Sequence, residues 1–169
     1  MANITNKYAQ TDTFLYNNSN AETSLLGTAG KFNGSLTFGA STINVGDHIF
    51  VWATAFMTSS NLAPGMLELK LKFAGASVST GAMNVPLNAS TWWRFLGMIA
   101  CRDTTMGMCI LFEADMSIWS NTPVVKGTSP ALDRTIANTI DFTSTLSVAN
   151  AANEVILQVG SVELRPGTP

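Results

Sequence analysis

The only histidine of the chain is His48, and it directly follows Asp47. A Ser-His-Asp relay would have to run through it. No Gly-x-Ser-x-Gly turn and no P-loop accompanies it. A histidine beside a turn at the start of a strand therefore reads as a solvated or hydrogen-bonded structural residue. Glu113 and Asp115 are two residues apart, so on a strand they share one face. Two such carboxylates could hold Ca²⁺ or act as a glycosidase pair. The same spacing also suits a polar strand face whose acids meet Arg94 and Arg102 on the preceding strand. Trp92, Trp93 and Trp119 could supply the aromatic groove of a glycosidase. They lie in apolar strands, however, and read first as core or subunit contact. Cys101 and Cys109 lack the four-ligand spacing of a zinc site. The sequence thus predicts no catalytic residue, no metal and no cofactor.

Composition points to a protein that works through its surface. Hydrophobic residues make up 46% of the 169 and charged residues 12%, against roughly 25% charged in an average protein. Thr, Ser, Asn, Gly and Ala fill the difference. A surface so poor in charge is expected to be covered in part by other protein. The formal net charge is −2, and the basic residues are scattered. That excludes the clustered Lys and Arg of a nucleic-acid footprint. No apolar run approaches the roughly 20 residues of a membrane span, so neither nucleic acid nor membrane is expected as a partner. Residues 1–16 are polar and lack an apolar signal core, which predicts synthesis in the cytoplasm.

The elements that position these residues read as strands. Residues 48–58 place Ile49, Val51, Ala53, Ala55 and Met57 on one face and Phe50, Trp52, Thr54 and Phe56 on the other. Both faces are apolar, so both should be covered. Residues 66–74 alternate Leu67, Leu69, Leu71 and Phe73 with Glu68, Lys70 and Lys72, the pattern of one buried and one wet face. A short strand is expected at 35–38, a weak one at 78–85, and long apolar ones at 92–102 and 108–119. If the long pair forms a hairpin centred on Thr105, Cys101 lies opposite Cys109. Residues 121–134 look irregular, with Pro123 and Pro130. Residues 136–148 alternate again, and 154–164 form the last strand, with Gly160 as a bulge.

About eight strands between turn signals predict an all-β fold. A single sheet cannot bury this much apolar surface, so two antiparallel sheets must face each other. The expected division is an N-terminal arm at 1–21, one β domain at 22–165 and a short tail at 166–169. The arm carries Tyr8, Phe14 and Tyr16, and it is expected to order on a neighbouring surface through those rings.

Four stretches carry a resemblance. They are Glu22-Thr23-Ser24-Leu25-Leu26 with Gly34-Ser35-Leu36-Thr37; Val45-Gly46-Asp47; residues 63–72; and Ile140-Asp141-Phe142-Thr143 with Val155-Ile156-Leu157-Gln158-Val159. In these the chain resembles a jelly-roll domain of tailed-bacteriophage structural proteins, found as capsid decoration (cement) proteins and as modules of tail fibres. The motifs are strand and turn signals, not catalytic signatures. The chain departs from the family in Met98, Met106, Met108 and Met116 and in its arm. The resemblance implies a jelly-roll sandwich that assembles as a homotrimer in the virion. The expected role is a decoration protein bound to the major capsid protein of its own shell. The alternative is a tail-fibre tip or receptor-binding knob contacting host glycans. The residues expected to bind partners are Tyr8, Phe14, Tyr16, Phe50, Trp52, Trp92 and Trp93.

Overall fold

A computed structural model describes residues 5–10, 14–17, 19–25, 36–60, 65–87, 90–102, 105–114, 124–129 and 133–167. Thirteen strands are described: β1 (Thr5–Gln10), β2 (Phe14–Asn17), β3 (Thr23–Ser24), β4 (Leu36–Phe38), β5 (His48–Thr58), β6 (Met66–Phe73), β7 (Ala76–Ser79), β8 (Met83–Asn84), β9 (Ser90–Arg102), β10 (Thr105–Ala114), β11 (Val124–Ser129), β12 (Asn138–Leu146) and β13 (Glu154–Arg165). The first sheet runs β1-β13-β5-β9-β10-β11, with β2 also on β13; the second runs β3-β12-β6-β7, with β4 on β12 and β8 on β6. Every pairing is antiparallel. The protein is an all-β two-sheet sandwich of the jelly-roll kind.

The core lies between the sheets because successive side chains of a strand point to opposite faces. Ile49, Val51, Ala53, Ala55 and Met57 of β5 are buried, and so are Leu67, Leu69, Leu71 and Phe73 of β6. From the first sheet Phe95 stacks on Phe142 of the second, with ring centroids 3.7 Å apart. The turn before β5 is fixed by Asp47, whose side chain accepts from the Asn44 amide at 2.8 Å and from the Gly167 amide at 2.9 Å. Gly46 takes φ 91° there, a value that favours glycine.

Three expectations need correction. First, Thr105 pairs with Arg102, so the hairpin closes over residues 103 and 104 and is not centred on Thr105. Cys101 is therefore opposite Met106, and Cys109 is opposite Met98. Second, part of the supposedly irregular stretch is strand β11, paired with β10 from Met106↔Ser129 to Leu111↔Val124. Pro123 and Pro130 themselves lie outside the described residues. Third, the bulge of β13 lies between Leu157 and Val159, not at Gly160. Gly160 instead permits a close approach of two strands, since a Cβ there would stand 3.0 Å from the Trp52 carbonyl oxygen.

The expected arm is also placed differently. Its residues 5–10 and 14–17 pair with β13 of their own chain. Tyr8, Phe14 and Tyr16 are opposite Val162, Leu157 and Val155, three residues whose own side chains are buried. They lie along one edge of the first sheet.

Candidate functional site

The outer face of the first sheet is built by the alternate residues of β5, β9 and β13. The register places Phe56 opposite Trp92, Thr54 opposite Arg94, Trp52 opposite Leu96 and Phe50 opposite Met98. Directly opposed residues of an antiparallel pair share a face, so these four rows form one continuous surface. Trp92 is 54% exposed, Leu96 43% and Met98 36%, while Phe50, Trp52 and Phe56 are half-buried. Each ring has a partner that fixes it. Phe56 meets Trp92 edge-on, with centroids 5.3 Å apart at 66°. The guanidinium of Arg165 lies 4.2 Å over the ring of Phe50, a cation–π contact.

Polar tethers complete one margin of this face. Arg165 donates to Glu163 Oε2 through Nη2 at 2.8 Å and Nε at 3.2 Å, and the Ser161 hydroxyl donates to Glu163 Oε1 at 3.2 Å. The hydrogen bond from Arg165 holds the Glu163 carboxyl below its usual range, and bonds from Ser161 and Trp52 add to it. The Trp52 ring is thus anchored through its polar edge while its body remains at the surface. Such rings are stiff before anything binds, which reduces the entropy lost on association.

The residues singled out by sequence divide into three groups. Phe50, Trp52 and Trp92 come together on this face. Trp93 is corrected to a core residue: it is 2% exposed and points away from its neighbour Trp92. Tyr8, Phe14 and Tyr16 lie on the strands that pair with β13, as described above. Sequence reasoning did not choose Phe56, Leu96, Met98 or Arg165 for the face. The first was signalled by the alternation of β5, and the next two by extending the same parity along β9. The Arg165–Phe50 contact had no local signal, because it depends on the pairing of β13 with β5.

Asp47 directs both carboxylate oxygens to backbone amides. His48 lies beside Phe50, with ring centroids 6.4 Å apart. Glu113 is opposite Arg94 in the β9–β10 register. Asp115 and Trp119 lie outside the described residues. Among the described residues no three of His, Cys, Asp or Glu gather as metal ligands.

The opposite, outer face of the second sheet is polar. Glu22 pairs with Lys72 and, at 3.4 Å, with Lys70; Lys70 also reaches Glu68 at 3.3 Å. Thr143 donates to Glu22 at 2.8 Å and Ser24 to Asp141 at 2.5 Å. The hydrogen bond from Lys72 is the main reason that the Glu22 carboxyl falls to about 2. Asp141 goes the other way, because burial raises it more than the Ser24 bond lowers it.

No family model matches the sequence, and no curated protein matches it either. Among solved structures the chain is similar to lectins, a lectin-like protein and a module from a phage. The CBM2 module of the evolved Dit of Lactobacillus casei BL23 phage J-1 is 10% identical with a TM-score of 0.47, covering 99% of each chain. Arcelin-5, a lectin-like defense protein from Phaseolus vulgaris, is 8% identical with a TM-score of 0.47, covering 95% of this chain and 98% of its own. A protein of unknown function from Shewanella oneidensis MR-1 is 12% identical with a TM-score of 0.43, covering 98% of this chain and 77% of its own. These likenesses assign no residue of the site.

Proposed function

We propose that this chain is a virion structural protein of a tailed phage, a decoration protein that assembles as a homotrimer and binds the major capsid protein of the finished shell. The observation that supports this reading is the exposed apolar row of Trp92, Leu96 and Met98, continuous with Phe50, Trp52 and Phe56. Trp, Phe, Met and Arg are the residues that protein interfaces enrich, while Lys and the acids are depleted there. In this reading the face is the subunit contact, closed on itself by three copies. The trimer then presents three equal contacts to the shell, which act together through high effective concentration. Because it binds only the assembled shell, it stabilises that state by mass action. The virion setting is supported by the resemblance in the strand and turn motifs at 22–26, 34–37, 45–47, 63–72, 140–143 and 155–159.

The test is the mass in solution. Light scattering at micromolar concentration should give three copies for the native chain. Trp92→Ala combined with Leu96→Glu should give monomers with an unchanged far-ultraviolet spectrum and weaker rebinding to stripped particles. A native chain that is already monomeric overturns the trimer. The second reading, a receptor-binding knob contacting host glycans, draws on the exposed ring of Trp92, on which a sugar could stack. It predicts particles that keep their shells but fail to adsorb when Trp92 is replaced by Ala.

A further inference from the structure

The hairpin between β6 and β7 borders a recess of about 450 Å³ on the second sheet, lined by residues 72–77 with Thr139 and Asp141. Its size falls within the roughly 300–1,000 Å³ of small-molecule sites. Small side chains keep it open. Ala74 adopts φ 50°, a conformation in which a tight hairpin ordinarily places Asn, Asp or Gly. Ala76 stands at the start of the returning strand. The polar groups come from three neighbouring strands in one row, since Lys72 is opposite both Asp141 of β12 and Ser77 of β7.

The chemistry of this row is specific. Asp141 offers a carboxylate that is already oriented by the Ser24 hydroxyl. Ser77 and Thr139 are exposed and offer hydroxyls that both donate and accept. Lys72 contributes an ammonium group whose charge Glu22 already balances. An anion entering here would meet Asp141 with no uncompensated cation to offset it. A divalent cation would find a single carboxylate in the lining, where such ions take six or more oxygens. A ligand with adjacent hydroxyl groups suits every partner at once: its donors reach the carboxylate, and its oxygens accept from the ammonium and the side-chain hydroxyls.

We propose that this recess binds a neutral polyhydroxylated ligand, through adjacent hydroxyls of a sugar residue held by Asp141, Lys72, Ser77 and Thr139. The site is independent of the aromatic face, which lies on the other sheet. It remains open whether or not that face is covered by another subunit.

The experiment titrates the isotope-labelled full chain, followed by amide chemical shifts. The probes are methyl α-D-glucopyranoside, methyl β-D-galactopyranoside, N-acetyl-D-glucosamine and methyl α-L-rhamnopyranoside, with inorganic phosphate as the anionic control. At least one sugar should give saturable shifts at residues 74–77, 139 and 141, and phosphate should give none. Asp141→Asn and Ser77→Leu should each weaken that binding at least tenfold with the thermal midpoint little changed. Because Ser77 is exposed, the second variant keeps the test valid if the first does not fold. The proposal is overturned if no sugar gives saturable shifts, if phosphate does, if the shifts gather around Trp92, or if the variants bind like the native chain.

Discussion

Glu22 holds two lysines and a threonine hydroxyl, and the consequence is a pH dependence with a definite sign. Its carboxyl lies at about 2 in the folded protein against 4.5 ordinarily. A lowered folded value means that the charged form stabilises the fold above about 4.5, and that this contribution disappears as pH falls toward 2. Thermal midpoints of the native chain should fall across that window, and those of Glu22→Gln should fall less. Equal slopes would show that the cluster contributes nothing; exposed ion pairs often contribute only about 0–1 kcal/mol. Cys101 gives a second prediction at this scale. The residue is 4% exposed, and burial, reinforced by the nearby Asp47 charge, pushes its thiol up to about 11. Alkylation of Cys101 at neutral pH should therefore be slow until the protein unfolds. Cys109 is opposite Met98, three residues along the strand from Cys101 and one strand across, which puts their Cα atoms about 11 Å apart. That exceeds the reach of a disulfide, so mass spectrometry should find no bridge between them. Much of the residue scale was legible, above all the alternation that buries Leu67 to Phe73. The assignment of Trp92 and Trp93 to one surface was not. Adjacent strand residues face opposite ways, and only packing against the second sheet decides which of the two is inside.

At the scale of elements, glycine marks where strands approach closely. A Cβ on Gly160 would press on the Trp52 carbonyl at 3.0 Å, and one on Gly97 would meet Leu71 Cδ2 at 3.0 Å and the Phe95 ring at 3.1 Å. Backbone yields less readily than a side-chain end. Gly160→Ala should therefore cost about 1–3 kcal/mol, as overpacking generally does, and at least as much as Gly97→Ala. Urea titration would check this; the reverse order would mean that β13 and β5 can separate without penalty. The spans of β5 and β6 were legible because both alternate without interruption. The inward residues of β13 change parity, from Val155 and Leu157 to Val162 and Leu164. The bulge before Val159 absorbs that change. The switch was visible in the sequence as two apolar pairs out of phase, although Gly160 drew attention to the wrong position.

On the scale of the whole molecule, the edge of the first sheet decides what the N-terminal residues do. A free arm could be removed at no cost to the fold. Strands β1 and β2, by contrast, satisfy the backbone of β13 along its outer side from Glu154↔Asn17 to Leu164↔Thr5. Deleting residues 1–17 should leave that edge unpaired and lower the thermal midpoint. A loss of about 2 kcal/mol corresponds to roughly 4–8 °C at this chain length. It should also promote association, since an unprotected edge is a template for pairing with another chain. Differential scanning calorimetry and light scattering on the truncated chain are the checks. An unchanged midpoint would restore the reading of these residues as an independent arm.

The sequence by itself determined the all-β class, the inward and outward residues of the uninterrupted strands, and the turn at Val45-Gly46-Asp47. These are local properties: they follow from the two-residue period of a strand and from the φ values that glycine permits. Tertiary structure alone decided the β9–β10 register, the edge position of β1 and β2, and the assembly of two chemically different outer faces. Register and edge position are sums over many pairings between distant residues, and several alternatives look alike from within one strand. The placement of Arg165 over Phe50, and of Asp141 beside Lys72 and Ser77, follows from those sums and from no local pattern.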